Sequence, residues 1–186
     1  VIIKTICDAD ELLFPSRSKM VFDQTGIKPK EEWDMRKVFD DKEIDAVSIV
    51  IPNHWHALAT IWACQAGKHV YVEKPASHNI WEGRKMIEVA RKTNLRVQVG
   101  LNNRSIDTIR EAIKFLHERG IGEIYMARAL CYKARDSFGM AKDSVPPATF
   151  HYNEWLGPAA YRPYNVKKSH YNWHWYWDTG NGDTGN

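Results

Sequence analysis

Glu73, Lys74 and Pro75 follow directly on the apolar run Val70-Tyr71-Val72. A lysine beside a carboxylate at the end of a strand has two readings. It can be a surface ion pair, which adds little to stability. It can also be an amine held at a sheet edge to move a proton and to steady a developing oxyanion. The neighbouring strand ends bear on the choice. VIIKTIC runs into Asp8 and Asp10, and DAVSIVI runs into Pro52, Asn53, His54, Trp55 and His56. LRVQV closes at Gly100, with Asn102, Asn103 and Arg104 just beyond. In an open parallel sheet, ligands bind outside the carboxyl ends of the strands. A carboxylate, an amide, imidazoles, a lysine and a guanidinium would therefore meet along one edge. Asp8 could accept both hydroxyls of an adenosine ribose; its other reading is a helix N-cap.

These side chains need a scaffold that brings strand ends together. The four apolar runs are short and nearly continuous, which suits a parallel sheet covered on both faces. Helical patterns lie between them. After HWHALATIWACQAGK, Ala57, Ile61 and Cys64 share a face, and Gly67 supplies a stop. In NIWEGRKMIEVARKTN, Ile80, Gly83, Ile87 and Ala90 recur at helical spacing, with Asn79 and Glu82 placed as a capping box. The alternation predicts an α/β fold, a Rossmann-type doubly wound parallel sheet. A further amphipathic helix is predicted in SIDTIREAIKFLHERG, facing inward through Ile106, Ile109, Ile113 and Leu116. IGEIYMARALCYKAR reads as a long strand, and residues 136–163 as loop. We place a boundary between a dinucleotide-binding domain at 1–103 and the start of an α+β substrate domain at 104–186.

Composition narrows the function. Of 186 residues, 44% are hydrophobic and 26% charged, enough for a real core, and the net charge is only +3. No block of like charges argues for nucleic acid, and no apolar run is long enough to span a membrane. Cys7, Cys64 and Cys131 are far apart in apolar contexts and read as buried, reduced thiols. His54 and His56 have no second ligand pair at a spacing that suits zinc, so no metal is expected. His170 and His174, interleaved with Trp173, Trp175 and Trp177, suggest an aromatic wall against which a sugar could stack. The opening apolar run and the glycine-rich GNGDTGN lead to the expectation that both ends continue into a longer protein, with a phosphate-binding glycine loop before residue 1. The 186 residues alone are accordingly expected to bind NAD poorly.

The stretches CDAD, IVIPNHWHALAT, AGKHVYVEKPAS, VQVGLNNRS and GIGEI together resemble the Gfo/Idh/MocA family of NAD(P)-dependent sugar and polyol dehydrogenases, over roughly residues 1–133. The tail, YNEWLGPAAYRPYN and HYNWHWYWDTGNG, is similar to a bacterial branch whose members often carry an export signal; cytoplasm and periplasm both stay open. The resemblance implies that Asp8 contacts the adenosine ribose and that Pro52, Asn53 and His56 line the cofactor cleft. It implies that Glu73 and Lys74 reach the nicotinamide ribose and the substrate, with Lys74 bonded to the reacting hydroxyl and Pro75 following a cis peptide. Asn102, Arg104 and Trp175 fall to the substrate side. Oxidising a secondary alcohol requires a proton to leave as hydride does. A desolvated lysine facing a cationic nicotinamide gives up its own proton more readily and can then accept another.

One element departs from the family pattern. An Asp-x-x-x-His pair is expected after the glycine run, and Asn186 stands where that Asp would fall. An amide orients but does not take a proton at neutral pH; Asp183 is the substitute carboxylate in reach of the sequence. The implied function is hydride transfer between NAD, with NADP as the alternative, and a sugar, polyol or derivative, in a homo-oligomer when full length. An acid at Asp8 would repel a 2′-phosphate and so leans toward NAD. Two other classes share the motifs: a glycosidase working through transient oxidation by bound NAD, and a non-catalytic dinucleotide-binding sensor.

Overall fold

The computed structural model describes residues 1–132 and 134–185. In chain order it forms β1 (Thr5–Cys7), α1 (Phe14–Thr25), β2 (Lys30–Glu32), α2 (Met35–Asp40), β3 (Ala46–Ile49), α3 (His56–Gln65), β4 (His69–Glu73), α4 (Ile80–Thr93), β5 (Val97–Gly100), α5 (Asp107–His117) and α6 (Tyr152–Leu156). Single 3-10 turns precede α1, α3 and α5. Among the described residues both sheets are parallel, and an isolated antiparallel bridge joins Asp10 to Phe150. β1 pairs with β2, and β3-β4-β5 form a second sheet in which Ile49 lies opposite Val72 and Glu73 opposite Gly100. This is the α/β, Rossmann-type arrangement the alternation predicts. β1 and β3 are not hydrogen-bonded to each other; a cavity lies between them.

The main core sits between the three-stranded sheet and α3 and α4. Val70, Val72, Ile49, Ala59, Ala63, Cys64 and Met86 are buried there. Each fully buried valine-sized side chain contributes about 1.5–3 kcal/mol, so the β4 register is strongly fixed. The helix signals are realised. Gly67 takes φ 82° after α3, a left-handed conformation that costs glycine nothing. Asn79 accepts the Glu82 N–H at 3.0 Å, and Glu82 accepts the His78 N–H at 3.0 Å.

Four expectations are corrected. α4 packs through Met86, with Val89 and Ala90 half-buried, while Ile80 and Ile87 are exposed. Helical spacing fits either stripe, and the neighbouring α3 selects the one that is covered. The stripe of α5 (Ile109 and Ile113, with Ile106 just before it) faces solvent instead of a core. Residues 123–132 run without a ladder among the described residues; a strand needs a neighbour for its backbone groups. Cys131 on that segment is exposed and Cys7 is half-buried; Cys64 is buried.

A second apolar cluster, Phe150, Tyr152, Trp155, Leu156 and Tyr164, is seated on Ala9 just after β1. The Glu11 N–H donates to Thr149 O at 3.0 Å, and the His151 N–H to Ala9 O at 2.8 Å. The late segment thus packs back over the first strand end. Among the described residues, no helix is long and apolar enough to cross a membrane.

Candidate functional site

A cavity of about 960 Å³ opens between β1 and β3, at the upper end of the range for small-molecule sites. Of the residues selected from sequence, Asp8, Pro52, His56, Glu73 and Lys74 line it. Much of the remaining wall is apolar, from Phe39, Val47, Ile49, Leu58 and Trp62 on α2, β3 and α3, and Trp33, Arg36, His170, Trp173 and His174 border it as well.

Asp8 leaves β1 and accepts the Asp10 N–H at 2.9 Å. Burial pushes its carboxyl above the ordinary value, and that hydrogen bond opposes the rise. Asp10 is buried; it caps the following turn through Leu12 N at 3.1 Å and pairs with His170 at 3.0 Å. The acceptor at the mouth of β1 is thereby Asp8, while Asp10 holds structure.

The Pro52–His56 turn is almost wholly buried from Asn53 on. Trp55 Nε1 donates to the carbonyls of Glu154 and Trp155 at 3.0 and 2.9 Å. His54 sits between the carbonyls of Thr179 and Trp155 at 3.3 and 3.2 Å. Burial lowers its pKa to about 4, so it is neutral. His56 opens α3, its Nδ1 2.6 Å from Pro75 O and its Nε2 2.8 Å from Ile51 O; burial lowers its pKa too. Asn181 donates to His78 O at 2.9 Å, which turns its own oxygen toward Asn53, and Asn53 Nδ2 donates to that oxygen. The Asn53 Oδ1 atom is then buried with no partner among the described residues. An orphaned acceptor of this kind is costly, and it lies behind the cavity wall, not in it.

Glu73 folds back on its own strand. Its Oε2 accepts the Lys74 N–H at 3.1 Å, and its Oε1 accepts the Tyr71 hydroxyl at 3.4 Å. Gly100 leaves room for this arrangement, since a Cβ there would lie 2.7 Å from both Glu73 Oε1 and the Tyr71 hydroxyl oxygen and would displace those side-chain ends. The Lys74–Pro75 peptide is cis. Together, Asp8 at one end and Glu73 and Lys74 at the other give the cavity acceptors at both ends and an amine at one. That donor set is of the kind that holds a nicotinamide dinucleotide.

Asn53, expected from sequence to line the cofactor cleft, does not line this cavity, because its side chain is turned into the packing against Asn181; Asn102, Arg104 and Trp175 do not line it either. Asn102 accepts the Tyr71 hydroxyl at 3.2 Å on an exposed turn that also carries Arg104. Trp175 donates to Asp183 at 3.2 Å and lies under the Arg135 guanidinium, 4.4 Å from its ring centre. Asp183 is itself clasped by Arg135 at 2.5 and 2.6 Å. Asn186 lies outside the described residues. Sequence reasoning missed Asn181 and His78 and gave His54 no role. No local pattern marks them, because their partners are about a hundred residues away.

Residues 10–101 match the profile described as oxidoreductase family, NAD-binding Rossmann fold (Gfo/Idh/MocA), and residues 132–186 match that family's C-terminal alpha/beta domain. Scyllo-inositol 2-dehydrogenase (NAD(+)) of Bacillus subtilis is 31% identical over 148 residues, 79% of this chain and 40% of that protein. Levoglucosan dehydrogenase of Pseudarthrobacter phenanthrenivorans is 36% identical over 95 residues, 51% of this chain and 24% of that protein. The matched stretches therefore span well under half the length of either relative. The crystal structure of myo-inositol 2-dehydrogenase from Lactobacillus plantarum superposes with a TM-score of 0.56 at 27% identity, covering 67% of this chain and 35% of that one.

Proposed function

The chain belongs to the Gfo/Idh/MocA oxidoreductase family, and from that premise we propose that the protein it represents moves hydride between NAD and a hydroxyl carbon of a cyclic polyol or sugar. The observation that carries this reading is the convergence of Asp8, Pro52, Glu73 and Lys74 on one cavity at the carboxyl ends of β1, β3 and β4. Residues 1–103 are the dinucleotide-binding part, and residues 104–186 begin the substrate part.

Bound NAD supplies the hydride acceptor. Asp8 holds the ribose hydroxyls at one end. At the other end Pro52 and Glu73 would border the nicotinamide ribose. Lys74 takes the proton of the reacting hydroxyl and, once protonated, stabilises residual alkoxide charge. Glu73, fastened by the Lys74 N–H and Tyr71, offers the lysine a fixed carboxylate neighbour. Trp173 and His174 stack at 3.6 Å on the cavity wall and present a flat face of the kind that packs on sugar C–H groups. A homo-oligomer in the full-length protein is part of the proposal.

The test is NADH formation by full-length protein against inositols, anhydrosugars and hexoses, with and without Lys74→Ala. Loss of a proton-transfer group lowers kcat by about 10²–10⁴-fold. Unchanged turnover in the variant removes Lys74 from the mechanism. Net hydrolysis of a glycoside without NADH moves the protein to the transient-oxidation glycosidases. Cofactor binding without either reaction makes it a sensor.

A further inference from the structure

His56 is 1% exposed, and both ring nitrogens face backbone carbonyls. Nothing polar on the ring is left for a ligand, although the residue borders the cavity. Its two partners are telling. Ile51 is the residue just before the Pro52 turn, and Pro75 is the residue just after Lys74. The ladder between β3 and β4 stops at Ile49 opposite Val72. On the β5 side the pairing reaches one residue further, Glu73 opposite Gly100. The Lys74 turn thus runs past the end of its β3 ladder, and the His56 ring spans that next step. Pro75 has no N–H, so its carbonyl is the one backbone group through which a hydrogen bond can hold it, and His56 holds that carbonyl at 2.6 Å.

We propose that His56 is a positioning residue: with its one ring N–H on the Pro75 carbonyl and its opposite edge packed against Ile51 O, it fixes the Lys74 turn relative to the Pro52–Asn53 turn, and it does not bind the cofactor itself. The inference rests on Lys74 being the proton-transfer group proposed above. A ring that spans two strand ends sets the distance between the lysine turn and the Pro52 turn, both of which line the cavity. A shift of about 1 Å in such a distance can cost about a hundredfold in rate.

The experiment compares full-length wild type with His56→Phe, which keeps a ring but has no nitrogen, and His56→Gln, which restores a donor. Three quantities are read: kcat, the calorimetric dissociation constant for NAD, and the rate of Lys74 modification by an amine-reactive reagent, with exposed Lys92 on α4 as internal standard. The expected result for His56→Phe is a fall in kcat of about 10–100-fold, NAD affinity within about twofold, and a changed Lys74-to-Lys92 labelling ratio. His56→Gln recovers part of both the rate and the ratio. Weakened NAD binding with kcat retained makes His56 a cofactor contact and overturns the proposal. So does an unchanged labelling ratio in both variants. If His56→Phe does not fold, His56→Gln decides alone: a lowered kcat and a changed labelling ratio with NAD affinity retained support the link, while wild-type kcat and labelling, or loss of NAD affinity with kcat retained, overturn it. A wild type without turnover defeats the proposed function but leaves the labelling comparison to judge the tie between His56 and Lys74.

Discussion

The turns that follow β3 and β5 start from the same situation and end differently. Each leaves the carboxyl end of a parallel strand, and each carries polar side chains that the sequence marks for a site. In the first, Asn53, His54, Trp55 and His56 are all buried, and each is tied to a distant segment or to a neighbouring strand end. In the second, Asn102, Asn103, Arg104 and Ser105 are exposed. The β3 turn is covered by α6 and by the Thr179–Asn181 stretch, whose backbone groups meet its side chains. The β5 turn leads into α5, whose Ile109 and Ile113 remain exposed. A polar group at a strand end becomes a fixed part of a site when another piece of chain packs on it.

The contrast is broken most forcefully at Trp55. Trp55→Ala removes a buried indole and the donor to two carbonyls of the α6 end, where Gly157 packs so close that a Cβ would lie 2.0 Å from the ring. The expected loss is about 3–5 kcal/mol, read as a lowered denaturant midpoint. A midpoint close to wild type would mean that α6 does not clamp this turn.

A smaller and more selective effect is expected with pH. Folded His54 is neutral down to about pH 4, whereas an unfolded histidine protonates near 6.5. Between those values the unfolded state binds the extra proton. Stability is therefore full above about pH 6.5, falls by about 3 kcal/mol as pH drops to about 4, and is not lowered further by this group. His56, with a pKa lowered in the same direction, adds to the fall. Urea midpoints across this window should show a shallower slope for His54→Asn than for wild type; parallel slopes would deny His54 its buried, neutral state.

The least effect belongs to the β5 turn. Arg104→Ala is expected to change stability by less than about 0.5 kcal/mol, as for most exposed sites. A loss comparable to that of the β3 turn variants would mean that the two turns are not as different as their burial makes them.

Much of this was legible beforehand. The strand–helix alternation, the stop at Gly67 and the pairing of Asn79 with Glu82 are local signals, and local chemistry realises them. The clustering of Asp8, Pro52 and Lys74 follows from strand direction alone, since parallel strands put their carboxyl ends on one edge. The face of α4 was not legible, because Ile87 and Met86 are neighbours in sequence and only the position of α3 decides which is covered. The anchoring role of His54 and the part played by Asn181 were hidden for a similar reason: their partners lie more than a hundred residues away.

The sequence by itself determined which residues arrive at the carboxyl edge of the sheet, because residue order and strand polarity suffice for that. It also determined the family, through motifs that are local in the chain. Only the tertiary structure decided what each arriving residue does. It left the Asn53 oxygen unsatisfied, folded Glu73 back toward Gly100, and turned both nitrogens of His56 onto carbonyls. Those outcomes depend on burial and on donors and acceptors brought together by packing, and no spacing along the chain encodes them.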